Sequence, residues 1–367
     1  MALNASFAKK TFHFNFRART SRGSMFERDS WFLKMAEEGR EQPYGIGEAG
    51  PLPGLSVELD DQFEVELGRF VKLFNDAQFE SEQFTGSDLA KNEQLLSKKL
   101  IDIRNYPSIL FAFETALLDL IGGGKKVLFK NSFTSGGPID INGLIWMSGL
   151  DMTLQQIEIK IQEGFNCIKL KVGGLDFEKE CDILQYVRRK YFKKDISVRL
   201  DANGAFKSEE AMFKLHQLSR FDIHSIEQPI KPGMPELADF CKKSPIPIAL
   251  DEELIGIHTL AKKKELLEKL RPNFIVLKPS LHGGLSGSQE WIDVAEAMGI
   301  GWWMTSALES NIGLNAIAQF TAQFTNPLHQ GLGTGMIYED NIESPLEVKD
   351  GKLGLKTGQN WGNIHFS

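Results

Sequence analysis

The segment IKLKVGG, residues 168–174, constrains this chain more than any other short stretch. Successive side chains of a strand point to opposite faces, so Lys169 and Lys171 are predicted to project from the same face. Gly173 and Gly174 follow directly and mark the end of the strand. Two ammonium groups held side by side repel each other, which disfavours protonation and makes at least one of them a better base. A solvent-exposed edge strand is the alternative interpretation, and this segment alone does not exclude it.

From about residue 139 onward, short apolar runs alternate with amphipathic helical stretches. The apolar runs are INGLIWMSG (141–149), CIKLKVGG (167–174), ISVRLDANG (196–204), IHSIEQPI (223–230), IPIALDEEL (246–254), NFIVLKPSL (273–281), IGWWMTSALES (300–310) and HQGLGTG (329–335). Strands that alternate with helices pair in parallel, and eight strands over this length are typical of a (β/α)8-type barrel. An open doubly wound sheet is the alternative, but neither GxGxxG nor GxxxxGK[ST] occurs in the sequence. We therefore predict the α/β fold class with a TIM-like barrel.

Polar residues recur at the predicted C-terminal ends of the barrel strands, where the chemistry of such barrels lies. After the lysine pair come Asp201, Glu227, Asp251 and Lys278, at intervals of 24 to 30 residues, which is about one strand–helix unit each. Parallel strands would therefore bring three carboxylates together, with lysines on both sides. For any single acid a helix cap or a surface ion pair is the more ordinary interpretation, but it does not explain the regular spacing.

Three acids in a buried barrel mouth cannot all stay ionised without a counter-charge. A hard divalent cation with oxygen ligands supplies it, which indicates Mg²⁺ as the cofactor. A metal-bound carboxylate has an acidified α-proton, which one lysine can remove while another stabilises the enediolate from the opposite face. Asn203 is expected to share the facing of Asp201 and either to support the metal ligands from behind or to contact the substrate. Glu252 is expected to face away, toward a helix.

The chain resembles the enolase superfamily in a set of motifs. They are KLK (169–171), LDAN (200–203), IEQP (226–229), LDEE (250–253) and LKPSLHGG (277–284), together with ETALLDL (114–120). More narrowly, the set is similar to the branch that contains muconate-lactonising enzymes, o-succinylbenzoate synthases and dipeptide epimerases. The resemblance implies a (β/α)7β barrel with an α+β capping domain formed from both termini. It also implies that Asp201, Glu227 and Asp251 ligate Mg²⁺, that Lys171 is the base, that Lys169 supports it and that Lys278 faces it across the site.

We predict a capping domain at residues 1–130, the barrel at 131–340 and a C-terminal tail at 341–367 that packs on the capping domain. The capping domain is predicted to contain a strand at 10–16, a charged loop at 18–31, a strand running into an irregular loop at 45–56, and helices within 60–75, 86–103 and 107–124. Alternating short elements in LEVKDGKLGLKTG predict a hairpin in the tail.

Two loops narrow the activity that the resemblance implies. GEAGPLPGLS (47–56) is similar to the GE-PLPG-S segment of o-succinylbenzoate synthases, and so is SALES (306–310) followed by Gly313 and Leu314. GLGTG (331–335) carries no acid, which disfavours the cationic dipeptide of an epimerase. We therefore expect the dehydration of 2-succinyl-6-hydroxy-2,4-cyclohexadiene-1-carboxylate to o-succinylbenzoate, a step of menaquinone synthesis.

Other activities stay open at this point. N-acylamino acid racemisation is the main alternative, followed by muconate lactonisation, and a catalytically silent barrel that serves as a binding protein is the least expected. In each enzymatic case the partner is a small carboxylate substrate. The expected substrate contacts are Leu52, Ser148, Asn203 and Ser306.

Composition bounds the cellular setting. A net charge of −7 and a pI of about 5.6 disfavour nucleic acid or an anionic membrane as a partner. Cys167, Cys181 and Cys241 form no CxxC motif, so neither a disulfide framework nor a zinc site is indicated. No apolar run has the length of a signal-peptide core or a transmembrane span. We expect a cytoplasmic protein, and a homo-oligomer is left open.

Overall fold

The computed structural model describes residues 1–20 and 23–364, so residues 21–22 of the predicted loop and 365–367 of the predicted tail lie outside the described residues. The N-terminal part is an antiparallel sheet with the strand order β1-β2-β3, packed against helices. Its elements are β1 (Leu3–Thr20), β2 (Gly23–Glu37), β3 (Tyr44–Ala49), α1 (Phe63–Asp76), α2 (Leu89–Lys99) and α3 (Pro107–Ile121). The helices lie at the three predicted stretches, and β1 extends the predicted strand at 10–16 in both directions.

The predicted loop at 18–31 is wrong for all of its described part, since residues 18–20 already belong to β1. Residues 23–31 belong to β2, which pairs with β1 in a long antiparallel hairpin. One of the charged residues that suggested a loop, Asp29, has partners across the strands: it accepts a hydrogen bond from Thr11 Oγ1 at 2.6 Å and lies 2.7 Å from Lys9 Nζ. Cross-strand pairing therefore overrides the local composition.

Strand β3 lies directly on helix α3 because the strand face toward the helix is nearly bare. A Cβ at Gly45 or Gly47 would collide with the backbone carbonyl of Ala116 or Ala112 in α3. Only glycine allows the two backbones to approach this closely. Because successive side chains alternate, Glu48 projects from the opposite face of the sheet.

Helix α3 also joins the capping sheet to the barrel. Phe111 and Leu118 belong to the apolar core around the barrel, whereas Phe113 and Leu117 belong to the core beneath the N-terminal sheet. Full burial of such side chains contributes roughly 1.5–3 kcal/mol each. A single helix buried in both cores thus fixes the sheet relative to the barrel.

The C-terminal part is a parallel sheet with the strand order β5-β6-β7-β8-β9-β10-β11, surrounded by helices. After the short β4 (Ile139–Asp140), the strands are β5 (Gly143–Ile145), β6 (Cys167–Lys171), β7 (Ser197–Asp201), β8 (Ser225–Glu227), β9 (Ile248–Leu250), β10 (Phe274–Leu277) and β11 (Gly301–Met304). The helices are α4 (Leu150–Gln162), α5 (Phe177–Lys190), α6 (Ser208–Leu218), α7 (Leu237–Lys243), α8 (Leu260–Leu270), α9 (Gly284–Ala297) and α10 (Asn311–Thr321). Strands adjacent in sequence are adjacent in space, which confirms the predicted barrel class.

The barrel closes through residues 329–335, the predicted eighth strand. Gln330 forms a parallel bridge with Ile141 before β5, and Gly331 forms one with Thr305 after β11. The segment makes these single bridges instead of a full strand, because glycine recurs at every second residue and weakens strand pairing. The prediction therefore placed this segment correctly and overestimated its regularity.

The predicted hairpin of the tail consists of β12 (Leu346–Lys349) and β13 (Lys352–Leu355). Strand β13 also pairs with β4, which directly precedes the first strand of the parallel sheet. Farther along, Trp361 and Ile364 pack against an apolar cluster that contains Phe12 of the capping sheet. The tail thus contacts both parts of the molecule, and the domain boundaries stay a prediction.

Candidate active site

The lysines and carboxylates predicted from the strand ends lie side by side at one end of the parallel sheet. Strands β6, β7 and β8 are in register, so that Lys171 lies opposite Asp201 and Asp201 lies opposite Glu227. Asp251 follows β9 directly, and Lys278 follows β10. These are the C-terminal strand ends, where the chemistry of this barrel class is found.

Both lysines of the KLK segment are bonded to carboxylates of the neighbouring strands. Lys169 Nζ donates to Glu227 Oε2 at 2.5 Å and lies 2.9 Å from Asp201 Oδ2. Lys171 Nζ donates to the same Asp201 oxygen at 2.7 Å. Asp201 therefore bridges the two lysine side chains.

Lys278 is separated from this pair by strands β7, β8 and β9. Its Nζ donates to Asp251 Oδ1 at 2.6 Å, and its backbone N–H donates to His282 Nδ1 at 2.9 Å. Burial lowers the pKa of His282 to about 3, so the ring is neutral and can accept this hydrogen bond. His282 thus fixes the backbone that carries Lys278.

The buried carboxylates hold two of the lysines in the charged form. Burial lowers the pKa of Lys169, but the charges of Asp201 and Glu227 outweigh it, and the net pKa lies above its usual value. The pKa of Lys278 is likewise raised, since Asp251 more than offsets the effect of burial. As placed here, both side chains are ammonium ions that neutralise part of the acidic charge.

The buried carboxylate of Glu227 is only partly satisfied by neighbouring groups. It is fully buried, and its Oε1 has no hydrogen-bond partner among the described residues. Burial raises the pKa of Glu227 to about 7, with Lys169 opposing the rise and Asp201 and Asp251 adding to it. A buried carboxylate oxygen without a partner costs free energy, so this atom is well suited to meet a cation.

Within residues 1–20 and 23–364, no three His, Cys, Asp or Glu side chains converge closely enough to hold a metal ion as placed. The lysine contacts account for this, because the ammonium groups of Lys169 and Lys278 lie at carboxylate oxygens that a cation would use. Three carboxylates on neighbouring strands nevertheless form the donor set that Mg²⁺ prefers. The residues fit the ion, and the metal site stays a prediction.

Asn203 links Lys171 to a further acid. Its Oδ1 accepts a hydrogen bond from Lys171 Nζ at 2.7 Å, and its Nδ2 donates to Glu252 Oε1 at 2.9 Å. The predicted orientation of Glu252 toward a helix is wrong. A 3₁₀ turn over Glu252–Leu254 begins directly after Asp251, so the alternation of a strand no longer applies at this position.

Leu52 and Ser306 line a cavity of about 100 Å³ at the lysine set. The site residues that share this cavity are Lys169, Lys171, Asp201, Asn203 and Lys278. The structure therefore places three of the four expected substrate contacts, Leu52, Asn203 and Ser306, beside the predicted catalytic lysines.

Ser148 lies elsewhere, at a neighbouring cavity of about 380 Å³ that shares Trp146 and Lys171 with the smaller one. Its hydroxyl is bonded to Thr153 Oγ1 at 2.9 Å and accepts from Gln156 Nε2 at 2.9 Å. These partners already satisfy the hydroxyl. A role for Ser148 in substrate binding stays a prediction.

Several residues of the smaller cavity were missed by the sequence reasoning. Trp146 lies two positions beyond Leu144, which pairs with Lys169 on the next strand, so strict alternation could have identified it. Thr334 is bonded to Ser306, with 2.5 Å between the two hydroxyl oxygens. It lies in the glycine-rich closing segment, which carries no recurring polar residue that could have marked it.

Comparisons with known proteins agree with this geometry. Residues 153–362 match the family model described as enolase C-terminal domain-like. The o-succinylbenzoate synthase of Desulfotalea psychrophila is 40% identical over 368 residues, covering 96% of this chain and 99% of the relative. The N-succinylamino acid racemase of Thermus thermophilus is 28% identical over 365 residues, covering 96% of this chain and 91% of the relative.

The solved structures lead to the same family. The crystal structure of MenC from Desulfotalea psychrophila LSv54 matches with a TM-score of 0.82 and 38% identity, over 97% of this chain and 100% of the other. The family model spans more than half of the sequence, and the 40% identical relative spans nearly all of it. The chain therefore belongs to the enolase superfamily and is an enzyme.

Proposed function

We propose that this enzyme dehydrates 2-succinyl-6-hydroxy-2,4-cyclohexadiene-1-carboxylate to o-succinylbenzoate. The observation that carries the proposal is the 40% identity, along nearly the whole chain, with a relative named o-succinylbenzoate synthase. Lys169, Lys171, Asp201 and Lys278 line one cavity in this structure. Glu227 and Asp251 are bonded to Lys169 and Lys278. The reaction would place the enzyme in menaquinone synthesis.

Asp201, Glu227 and Asp251 are the residues that would hold Mg²⁺. When bound, the ion supplies positive charge that acidifies the proton next to the substrate carboxylate. The unpartnered Oε1 of Glu227 supports this assignment.

The lysines would divide the proton transfer between them. Lys171, in its neutral form, removes the α-proton, and Lys169 stays an ammonium ion beside it. Lys278, on the far side of three strands, faces the enediolate that results. The protonated Lys171 then returns the proton to the departing hydroxyl, so that one C–H and one C–O bond break, water leaves and the ring becomes aromatic.

Racemisation of N-succinylamino acids is a second candidate. The relative with that name covers 96% of this chain, and lysines on both sides of the cavity could take and return a proton on opposite faces of one carbon. Both reactions share the first step, the removal of the α-proton. They differ in whether the intermediate can expel a leaving group.

The test is a direct assay of the purified chain with Mg²⁺ against both substrates. We expect the enzyme to form o-succinylbenzoate, which is detected by its absorbance. Addition of a chelator should abolish that activity. Racemase turnover without synthase turnover would favour the second candidate. Full synthase activity in excess chelator would contradict the metal assignment.

Two observations bear on the cellular location of the enzyme. Cys167, Cys181 and Cys241 are free thiols, and we infer a reducing, cytoplasmic location from them. Over the described ranges, none of the helices combines the length and the apolar character needed to span a bilayer.

A further inference from the structure

We propose that Arg28 and Glu48 of the capping domain are positioning residues that set the substrate-pocket wall formed by residues 305–310, here called the β11 loop. The inference rests on the proposed function, because it assigns this wall to substrate binding. Neither residue lines the cavity, whereas Thr305 and Ser306 of the loop do. The two residues would therefore act on the substrate through the loop.

Glu48 is bonded to the start of the helix that follows the β11 loop. It is 1% exposed, and its carboxylate accepts hydrogen bonds from the backbone N–H of Ser310 at 2.9 Å, from Ser310 Oγ at 2.6 Å and from the backbone N–H of Gly313 at 2.9 Å. Ser30 Oγ of β2 donates at 2.9 Å to Oε1, the same oxygen that accepts the backbone N–H of Ser310. An acid of the capping sheet thus caps helix α10 of the barrel, where the orphan N–H groups and the helix dipole favour negative charge.

Arg28 connects the two loops that meet across the cavity. Its guanidinium donates through Nη1 to the carbonyl of Ala307 at 2.5 Å and through Nη2 to the carbonyl of Gly50. Gly50 precedes the loop that carries Leu52, and Leu52 and Ala307 share a small apolar cluster at the cavity. One buried cation therefore fixes the spacing between the two loops.

The β11 loop needs this support because its backbone is strained. Leu308 has a φ of +65°, a left-handed conformation that is unfavourable for a leucine. Its carbonyl accepts from Tyr338 OH at 2.6 Å, and the N–H of Ala307 donates to Glu309 Oε2 at 2.7 Å. Such a conformation persists only where several outside contacts determine it, and Arg28 supplies one of them.

The lysine and carboxylate groups are not bonded to either positioning residue. Loosening the β11 loop should therefore weaken the binding of the substrate more than it slows proton removal. A residue with a purely structural role would lower the amount of folded enzyme and leave the KM of the remainder unchanged. A rise in KM with little change in kcat therefore distinguishes a positioning role from a purely structural one.

The experiment uses the full-length enzyme with Arg28→Met and Glu48→Gln. Glu48→Gln is isosteric, but its amide nitrogen cannot accept from Ser310 or Gly313. We expect KM for the synthase substrate to rise about 10-fold or more in each variant, with kcat within about threefold of wild type. Asp119→Asn is the matched control, because Asp119 is a buried acid that accepts from the backbone N–H of Ile46 and lies wholly within the capping domain. It should lose stability and keep the wild-type KM.

A second readout does not depend on the substrate. Hydrogen exchange of the backbone amides at 305–313 should become faster in Arg28→Met and Glu48→Gln, but not in Asp119→Asn. An inactive wild-type enzyme would contradict the proposed function alone. Unchanged exchange in both variants, or an unchanged KM in an active enzyme, would overturn the positioning role.

Discussion

The two sides of the barrel mouth are held in place by different parts of the chain. On one side, Lys169, Lys171 and Asp201 are bonded to one another and come from adjacent barrel strands. On the other side, the β11 loop is held by residues of the capping sheet, and Glu48 contacts a residue 262 positions away. The difference suggests that the barrel builds the chemistry by itself, whereas the shape of the pocket depends on how the two domains pack.

The largest expected effect is on the side built by the barrel. Lys171→Ala and Lys278→Ala should each reduce turnover by about 10³-fold or more, because the proton transfer and the opposing charge are lost. Circular dichroism should show an unchanged fold. Lys190→Ala, which removes a lysine paired with Glu158 outside the site, is the control and should keep full activity. Near-wild-type turnover in either site variant would contradict these roles.

The next effect concerns the metal. Glu227→Gln should weaken the binding of Mg²⁺, as measured by calorimetry on metal-free protein. The loss of affinity should exceed the ~10–100-fold that is typical when a residue hydrogen-bonded to a metal ligand is replaced. The reason is that one of three carboxylate ligands loses its charge. Glu265→Gln, on the exposed face of α8, should bind as the wild type does. Equal affinities in the two variants would exclude Glu227 as a ligand.

A smaller effect tests a second contact between the domains. Glu114 of α3 accepts from the backbone N–H groups of Leu285 at 2.5 Å and Ser286 at 3.2 Å, at the start of α9. Burial raises the pKa of Glu114 from 4.5 to about 8. The folded state therefore binds this proton more tightly than the unfolded state does. The contribution of Glu114 is fully present below about pH 4.5 and is lost as the pH rises toward 8.

Glu114→Gln should remove this dependence. We expect its free energy of unfolding to fall less between pH 5 and pH 8 than that of the wild type, by on the order of 1–3 kcal/mol, as measured by urea denaturation. Glu265→Gln should keep the wild-type slope. Parallel slopes for Glu114→Gln and the wild type would show that Glu114 does not titrate in this range.

The smallest effect separates the two cavities. Ser306→Ala should raise KM about 2–10-fold if its hydroxyl contacts the substrate, whereas Ser148→Ala should change KM by less than about twofold, since its hydroxyl is already bonded within the barrel wall. Steady-state kinetics with both variants measures these changes in KM. A larger effect at Ser148 would indicate that the substrate extends into the larger cavity.

The barrel and the set of lysines and carboxylates at its strand ends could be predicted from the sequence because both repeat. One polar residue recurs at the end of each successive strand, as at Asp201, Glu227 and Asp251, and parallel pairing then forces these residues together. The errors occur where regular structure ends. The turn after Asp251 rotates Glu252 toward Asn203, and the glycines after Gln330 reduce the eighth strand to single bridges.

The capping domain was harder to predict, because its residues depend on strand pairing and on contacts with the barrel and not on a repeating local pattern. The charges in 23–31 suggested a loop, and only the pairing of β2 with β1 makes them a strand. In the same stretch, Arg28 gave no sign that it is buried against Ala307. Long-range contacts of this kind leave no periodic pattern in the chain.

By itself, the sequence determined the register of the lysines and carboxylates, and with it the removal of a proton next to a carboxylate as the expected first step. The alternation within a strand and the length of one strand–helix unit are local properties, so they can be read without the fold. Only the tertiary structure decided which residues hold the β11 loop against the loop that carries Leu52. Those contacts join separate domains through Arg28 and Glu48, and their geometry exists only once the two hydrophobic cores have packed around α3.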